Sequence, residues 1–177
     1  GTYTFDPANP VYNNIPDGDQ RVLRIPVTVT DRFGATDQQS IQITVVGTND
    51  VPIVGGIDHS VAAVSAATGG FVRASGSLVV LDLDQGESHF VSQVLNGQYG
   101  SLGIGPDGSW TYTADASQSA FAAMPQGGHV DETFPVKTAD GTTHDIGIRV
   151  VGSNQPAIIA GTKAGMVSED QAGAITR

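Results

Sequence analysis

Asp82 and Asp84, two residues apart with Glu87 close behind, are the acids whose type and spacing could do the most chemistry. A hard cation such as calcium takes six to eight oxygen ligands, which clustered carboxylates and backbone carbonyls can supply. Residues two apart on a strand or at its exit point the same way, so both aspartates can address one cation. Asn49 and Asp50 stand upstream in the hinge-like string Gly47-Thr48-Asn49-Asp50-Val51-Pro52 and complete a first candidate site. A second is offered by Asn154, Glu169 and Asp170, beginning in the similar string Gly152-Ser153-Asn154-Gln155-Pro156. The competing reading is structural: Asn-Asp-x-Pro is turn chemistry, and Asp82 and Asp84 are solvated acids at a strand end.

Other residues with chemical potential read as framework. Trp110, the one tryptophan, could join Tyr99 and Tyr112 in a sugar-stacking platform. Trp110 and Tyr112 share one strand phase, which suits a core face better. The four histidines, His59, His89, His129 and His144, form no spaced metal motif. Thr143-His144-Asp145 superficially resembles a relay, and Asp131-Glu132 a glycosidase pair. Neighbours on a strand point to opposite faces, so neither set can act together. Thr68-Gly69-Gly70 lacks the lysine and following helix of a phosphate loop. No catalytic residue is expected, and the chain is read as not an enzyme.

The elements that must position these residues are written twice. Tyr3-Thr4-Phe5-Asp6 returns as Tyr112-Thr113-Ala114-Asp115, and Pro16-Asp17-Gly18 as Pro125-Gln126-Gly127. Ile25-Pro26-Val27 returns as Phe134-Pro135-Val136, and Ile41, Ile43, Val45 and Gly47 as Ile146, Ile148, Val150 and Gly152. A period of roughly 105 residues is a domain, not a solenoid rung. Apolar residues alternate with period two throughout, which predicts strands. Asp31-Arg32-Phe33-Gly34 and Asp140-Gly141 are the paired hairpin turns, with the first expected to be longer by four residues. Pro26 and Pro135 place their strands at edges or bulges. Asp107-Gly108 marks another hairpin between Ile104 and Trp110, and residues 117–124 a single helical turn. Residues 1–5 read as the middle of a strand, as though cut from a longer array.

The composition agrees with such a role. The chain has 177 residues, 39% of them hydrophobic, with 23 glycines and 9 prolines for turns. Eighteen acids against eight bases give a net charge of -10, which argues against nucleic acid and anionic membranes as partners. There are no cysteines, hence no disulfides or thiol chemistry. No apolar run reaches the 18 residues of a membrane span.

Gly76-Ser77-Leu78 leading to Asp82 and Asp84, Tyr99-Gly100-Ser101-Leu102, Asp107-Gly108-Ser109-Trp110-Thr111-Tyr112 and the closing Gly47-Thr48-Asn49-Asp50-x-Pro52 resemble the VCBS repeat of large bacterial RTX-type surface adhesins. The resemblance implies an all-β chain of immunoglobulin-like or cadherin-like β-sandwiches. It also implies a secreted or cell-surface stalk, roles in attachment and biofilm, and calcium at the joints between repeats. This chain departs from the pattern at both joints. Ala63-Val64 stand where Glu169-Asp170 do, and Gln155 where Asp50 does. The expected organisation is the C-terminal half of one repeat at 1–50, a complete repeat at 51–153 and the start of a third at 154–177. Neighbouring repeats are the expected partners, with a strand-exchanged dimer conceivable but not favoured. A carbohydrate- or matrix-binding module and an accessory domain of a secreted hydrolase are the alternatives.

Overall fold

The computed structural model describes residues 2–64 and 70–153. Asn154, Glu169, Asp170, the third repeat at 154–177 and most of the Thr68-Gly69-Gly70 stretch therefore lie outside the described residues. Two units follow one another along the chain. The first is a hairpin of β1 (Gln20–Thr30) and β2 (Thr36–Val46), preceded by a 3-10 turn at Pro10–Tyr12. The second is a sandwich built from β3 (Ile53–Gly56), β4 (His59–Ala63), β5 (Phe71–Leu81), β6 (Gln93–Asn96), β7 (Gly100–Ile104), β8 (Ser109–Asp115), β9 (His129–Lys137) and β10 (Thr143–Val151). Its single helical turn, α1 (Ser119–Ala122), falls in the predicted crossing between sheets.

The sandwich pairs a five-stranded sheet, β3-β5-β8-β7-β6, with a three-stranded sheet, β4-β10-β9. The chain changes sheet between β3 and β4: β3 runs antiparallel to β5, and β4 runs parallel to β10. Gly56 makes that change possible. Its φ is +117°, and a Cβ there would lie 2.5 Å from the carbonyl oxygen of Ser77, so only glycine fits.

Alternation decides which side chains the sheets enclose. Leu78, Leu102, Trp110, Tyr112, Phe134, Val136, Ile146, Ile148 and Val150 all face inward and are essentially inaccessible. Trp110 donates its indole N–H to the carbonyl of Ile57 at 2.9 Å, satisfying the polar end of a buried ring. Glu132 is buried with them. Its carboxylate accepts from the Tyr112 hydroxyl at 2.5 Å and from the Tyr99 backbone N–H at 2.8 Å, tying the two sheets together. Burial, then the neighbouring Glu132 carboxylate, pushes the Tyr112 phenol far above its ordinary range.

Two expectations are corrected here. The connections of the two hairpins are equal, not four residues apart. Thr30 faces Thr36 and Lys137 faces Thr143, leaving 31–35 and 138–142 as loops closed by the same backbone bonds. The extra residues of the first hairpin instead lengthen both strands to 11 residues, against 9 in β9 and β10. Added ladder pairs satisfy backbone groups that a longer loop would leave to solvent. Residues 2–5, read as strand, form none. Their counterpart β8 is held between β5 and β7, and no such neighbours flank residues 2–5 among the described residues.

Candidate metal centre

The acids converge where the five-stranded sheet ends. β5 stops at Leu81, and residues 82–90 form a loop reaching across to the other sheet. The Asp84 backbone N–H donates to Asp82 Oδ1 at 2.9 Å, and that of Glu87 to the Asp84 carbonyl at 3.2 Å. Ser88 closes the loop: its hydroxyl donates to the Asp82 carbonyl at 3.1 Å and accepts from the Asp82 N–H at 3.0 Å. Buried Phe90 anchors the far end, bridged to Thr138. The convergence thus arises from a turn beyond the strand, not from alternation along it.

One carboxylate oxygen from each of Asp82, Asp84 and Glu87 lies within 4.8 Å of the other two. That spacing suits oxygens sharing one cation at 2.3–2.6 Å. Asp84 is only 2% exposed. Asp82 Oδ2, Asp84 Oδ1 and Glu87 Oε2 are all shielded from solvent and lack a hydrogen-bond partner. No ion pair to Lys, Arg or His reaches them among the described residues. Shielded carboxylate oxygens with neither donor nor countercharge are costly, and a divalent cation removes that cost. Burial, then the charges of Asp84, Asp82, Asp140 and Asp17, raises the Glu87 carboxyl above its ordinary range. The donor set is all oxygen, which fits calcium and not a thiolate- or imidazole-seeking metal.

The first unit reaches this loop. The Asp50 N–H donates to Asp84 Oδ2 at 2.8 Å, and the Gln85 N–H to the Asn14 carbonyl at 3.3 Å. Asn49 takes another direction: its side-chain amide donates to Asp140 Oδ2 at 3.4 Å in the β9–β10 turn. Asp140 also accepts from Thr138 Oγ1, from Thr142 Oγ1 and from the Thr142 N–H. Desolvation opposes its charge, but these hydrogen bonds hold its carboxyl at about 2. The structure thus brings Asp82, Asp84 and the Asp50 backbone together with Glu87, and sends Asn49 to a neighbouring acid. Sequence reasoning overlooked Asp140 and Asp17. The repeat places both in turns, Asp140 in the hairpin turn that also holds Asp31 and Asp17 in the one that recurs with Gln126, and that was the available signal.

The remaining candidates do not assemble a site. Trp110 and Tyr112 are buried, while Tyr99 is half-buried against Phe121 at 5.7 Å, so these three form no platform facing solvent. Asp131 lies outside, paired with Arg149 at 2.7 Å, whereas Glu132 lies inside. His144 faces inward and Asp145 is exposed. His59 Nδ1 and His144 Nε2 both approach Asp58, at 2.7 and 3.4 Å, across the sheet change.

A split first strand, a five-plus-three sandwich and an acidic loop at the joint define a cadherin-like structural module. The bacterial cadherin-like domain family matches residues 49–152, more than half of the chain, and the chain belongs to that family. No curated protein matches it. The match supports a cadherin-like repeat, a coarser assignment than the VCBS repeat. Among the described residues no helix is long and apolar enough to cross a membrane.

Proposed function

We propose that this chain is an extender segment of a large secreted bacterial adhesin of the VCBS type, stiffened by calcium where residues 1–50 meet the sandwich at 51–153. In this reading 154–177 begins a further repeat, and the parent stands at the cell surface in attachment and biofilm. The observation that carries it is the trio of shielded carboxylate oxygens on Asp82, Asp84 and Glu87, without donor or countercharge. Asp82, Asp84 and Glu87 would hold the cation from the sandwich side, with Asp17 and Asp50 of the preceding unit close by. Calcium supplies the positive charge that lets these acids stay ionised together. The chain's own residues do the rest: Ser88 fixes the loop, Phe90 anchors it, and the Asp50 N–H couples the linker to Asp84. A sandwich of tightly interlocked side chains then acts as a rigid spacer, and bending is confined to the joint.

Thermal unfolding in EDTA and in millimolar calcium, for wild type and Asp84→Asn, tests the reading. At one hundred times Kd, one bound ion adds about 2.7 kcal/mol, a rise of ~10 °C or more for a domain of about 100 residues. Asp84→Asn should lose that rise while melting at or above wild type in EDTA. An equal calcium response in both proteins would place the cation elsewhere.

A further inference from the structure

The outer face of the three-stranded sheet carries a groove of about 500 Å³, lined only by residues of the sandwich. The pairing of β4, β10 and β9 lays it out as two rows. His59, Gly147 and Thr133 stand side by side in one, and Val61, Arg149 and Asp131 in the next. Alternation sends all six outward, and the one glycine among them falls on the middle strand. Gly147 is therefore the floor. The His59 ring leans over it: a Cβ on Gly147 would lie 2.8 Å from His59 Cδ2 and 3.2 Å from Nε2. Arg149 and Asp131 form the opposite wall, Nε donating to Oδ1 at 2.7 Å and Nη2 to Oδ2 at 2.9 Å.

The polar groups around this floor are paired by charge but not exhausted by it. A guanidinium has five N–H groups. Arg149 spends two of them on Asp131 and has no other partner among the described residues. Asp131 keeps lone pairs to offer, with His129 Nε2 too far away, at 3.9 Å, to fill them by hydrogen bonding. His59 turns Nδ1 to Asp58 Oδ1 at 2.7 Å, which leaves Nε2 over the floor. Against an ionised Asp58, Nδ1 carries the proton, and Nε2 of the neutral ring accepts. Thr133 adds a hydroxyl, and Val61, 65% exposed, an apolar contact. Each charge at the rim has its counterion, so the groove draws neither anion nor cation, and a net charge of -10 repels anions further. It presents fixed donors beside fixed acceptors, which suits neighbouring hydroxyls, each able to do both.

We infer that this groove binds an uncharged mono- or disaccharide. The sugar lies on Gly147, its hydroxyls bridging Arg149 and Asp131 on one side and meeting His59 Nε2 on the other. The volume falls within the range of small-molecule sites, on the order of 300–1,000 Å³. An open, polar groove buries little of its ligand, so Kd is on the order of 1 mM. The sandwich would then touch glycan along its flank, independently of the acidic joint.

Nuclear magnetic resonance of the whole isotope-labelled chain in EDTA, titrated with glucose, galactose, mannose, maltose, cellobiose and lactose to tens of millimolar, tests this. At least one sugar should saturably shift the amides of residues 59–61, 131–133 and 147–149. Asp131→Asn removes the charge that fixes Arg149, and affinity should fall about tenfold or more. Its melting temperature should barely move, because exposed ion pairs add little stability. Gly147→Val fills the floor with a residue that strands favour, and the exposed His59 ring can swing aside, so binding should vanish in a folded protein. Should that variant lose its dispersed spectrum, Asp131→Asn decides alone. No saturable shift with any of these sugars, shifts confined to other residues, or an affinity unchanged in Asp131→Asn would each overturn the inference. Tighter binding of glucuronate or glucosamine than of glucose would overturn the assignment to neutral sugars.

Discussion

The hairpins β1–β2 and β9–β10 share an apolar pattern, a proline in the first strand and a five-residue connection, yet among the described residues only β9–β10 lies under a second sheet. Ile146, Ile148 and Val150 are buried under the five-stranded sheet, with β4 added along the edge of β10. Their counterparts Ile41 and Ile43 stay partly exposed on a sheet of two strands. The same residues therefore carry different energies in the two places, because burial depends on what the topology lays over a face, not on the face itself. The loops below the hairpins make a parallel contrast. Gly18 and Gly47 are tied by the same backbone bonds as Gly127 and Gly152. The first loop carries Asp17 and Asp19, and the second carries Gln126 and Gly128. The loop at the base of the first hairpin is therefore acidic, and that at the base of the second is not.

The largest effect that would sharpen this contrast is a charge placed on each face. Ile148→Asp should cost at least about 4 kcal/mol, enough to unfold the sandwich or nearly so. Ile43→Asp should change the sandwich transition by under about 0.5 kcal/mol, since exposed sites are tolerant. Urea melts followed by Trp110 fluorescence report on the sandwich alone. Equal losses would mean the two units share one core.

A smaller effect is expected at Glu132. Glu132→Leu leaves the Tyr112 hydroxyl and the Tyr99 N–H buried without an acceptor, costing about 2–3 kcal/mol. A variant as stable as wild type in the same melts would show that the carboxylate is not what ties the sheets.

The smallest effect has a definite sign. Glu87 binds its proton more tightly folded than unfolded, since burial and the surrounding acids raise its carboxyl. Between the ordinary glutamate range and that raised folded value, the native state holds more protons, so stability falls as pH rises. In EDTA, acidification through this window should stabilise wild type relative to Glu87→Gln. With calcium the slope should reverse, because protons then compete with the ion. Matching pH profiles for the two proteins in EDTA would remove Glu87 from the cluster.

Much of the sandwich was legible because alternation and turn chemistry are local. Asp107-Gly108 and Asp140-Gly141 do form turns, with glycine φ of +79° and +89°. Trp110 and Tyr112 fell on the core face as their shared phase required. The sheet change at Gly56 was not legible, since nothing local distinguishes a glycine that redirects a strand from one in a loop. The four extra residues of the first hairpin lie in its strands and not in its turn, which the sequence could not show because extra residues look alike in loop and ladder. In the site, Asp82 and Asp84 were visible from their spacing, and Glu87 from its nearness in sequence. Asp140 and Asp17 belong to other elements, and long-range packing brings them near enough for their charges to act on Glu87. Asn49 was expected among the ligands, but its amide hydrogen-bonds Asp140 instead.

The most direct test of the proposed calcium joint uses the absence of cysteine. Single thiols introduced at Gln38 in the hairpin and Ser117 in the sandwich can carry a fluorescent donor and acceptor, and energy transfer then reports the distance between the two units. Measured at low micromolar protein, the distance distribution should be broad in EDTA and narrow in millimolar calcium. Asp84→Asn should stay broad in both. A wild-type distribution that calcium leaves unchanged would contradict a joint stiffened by the ion.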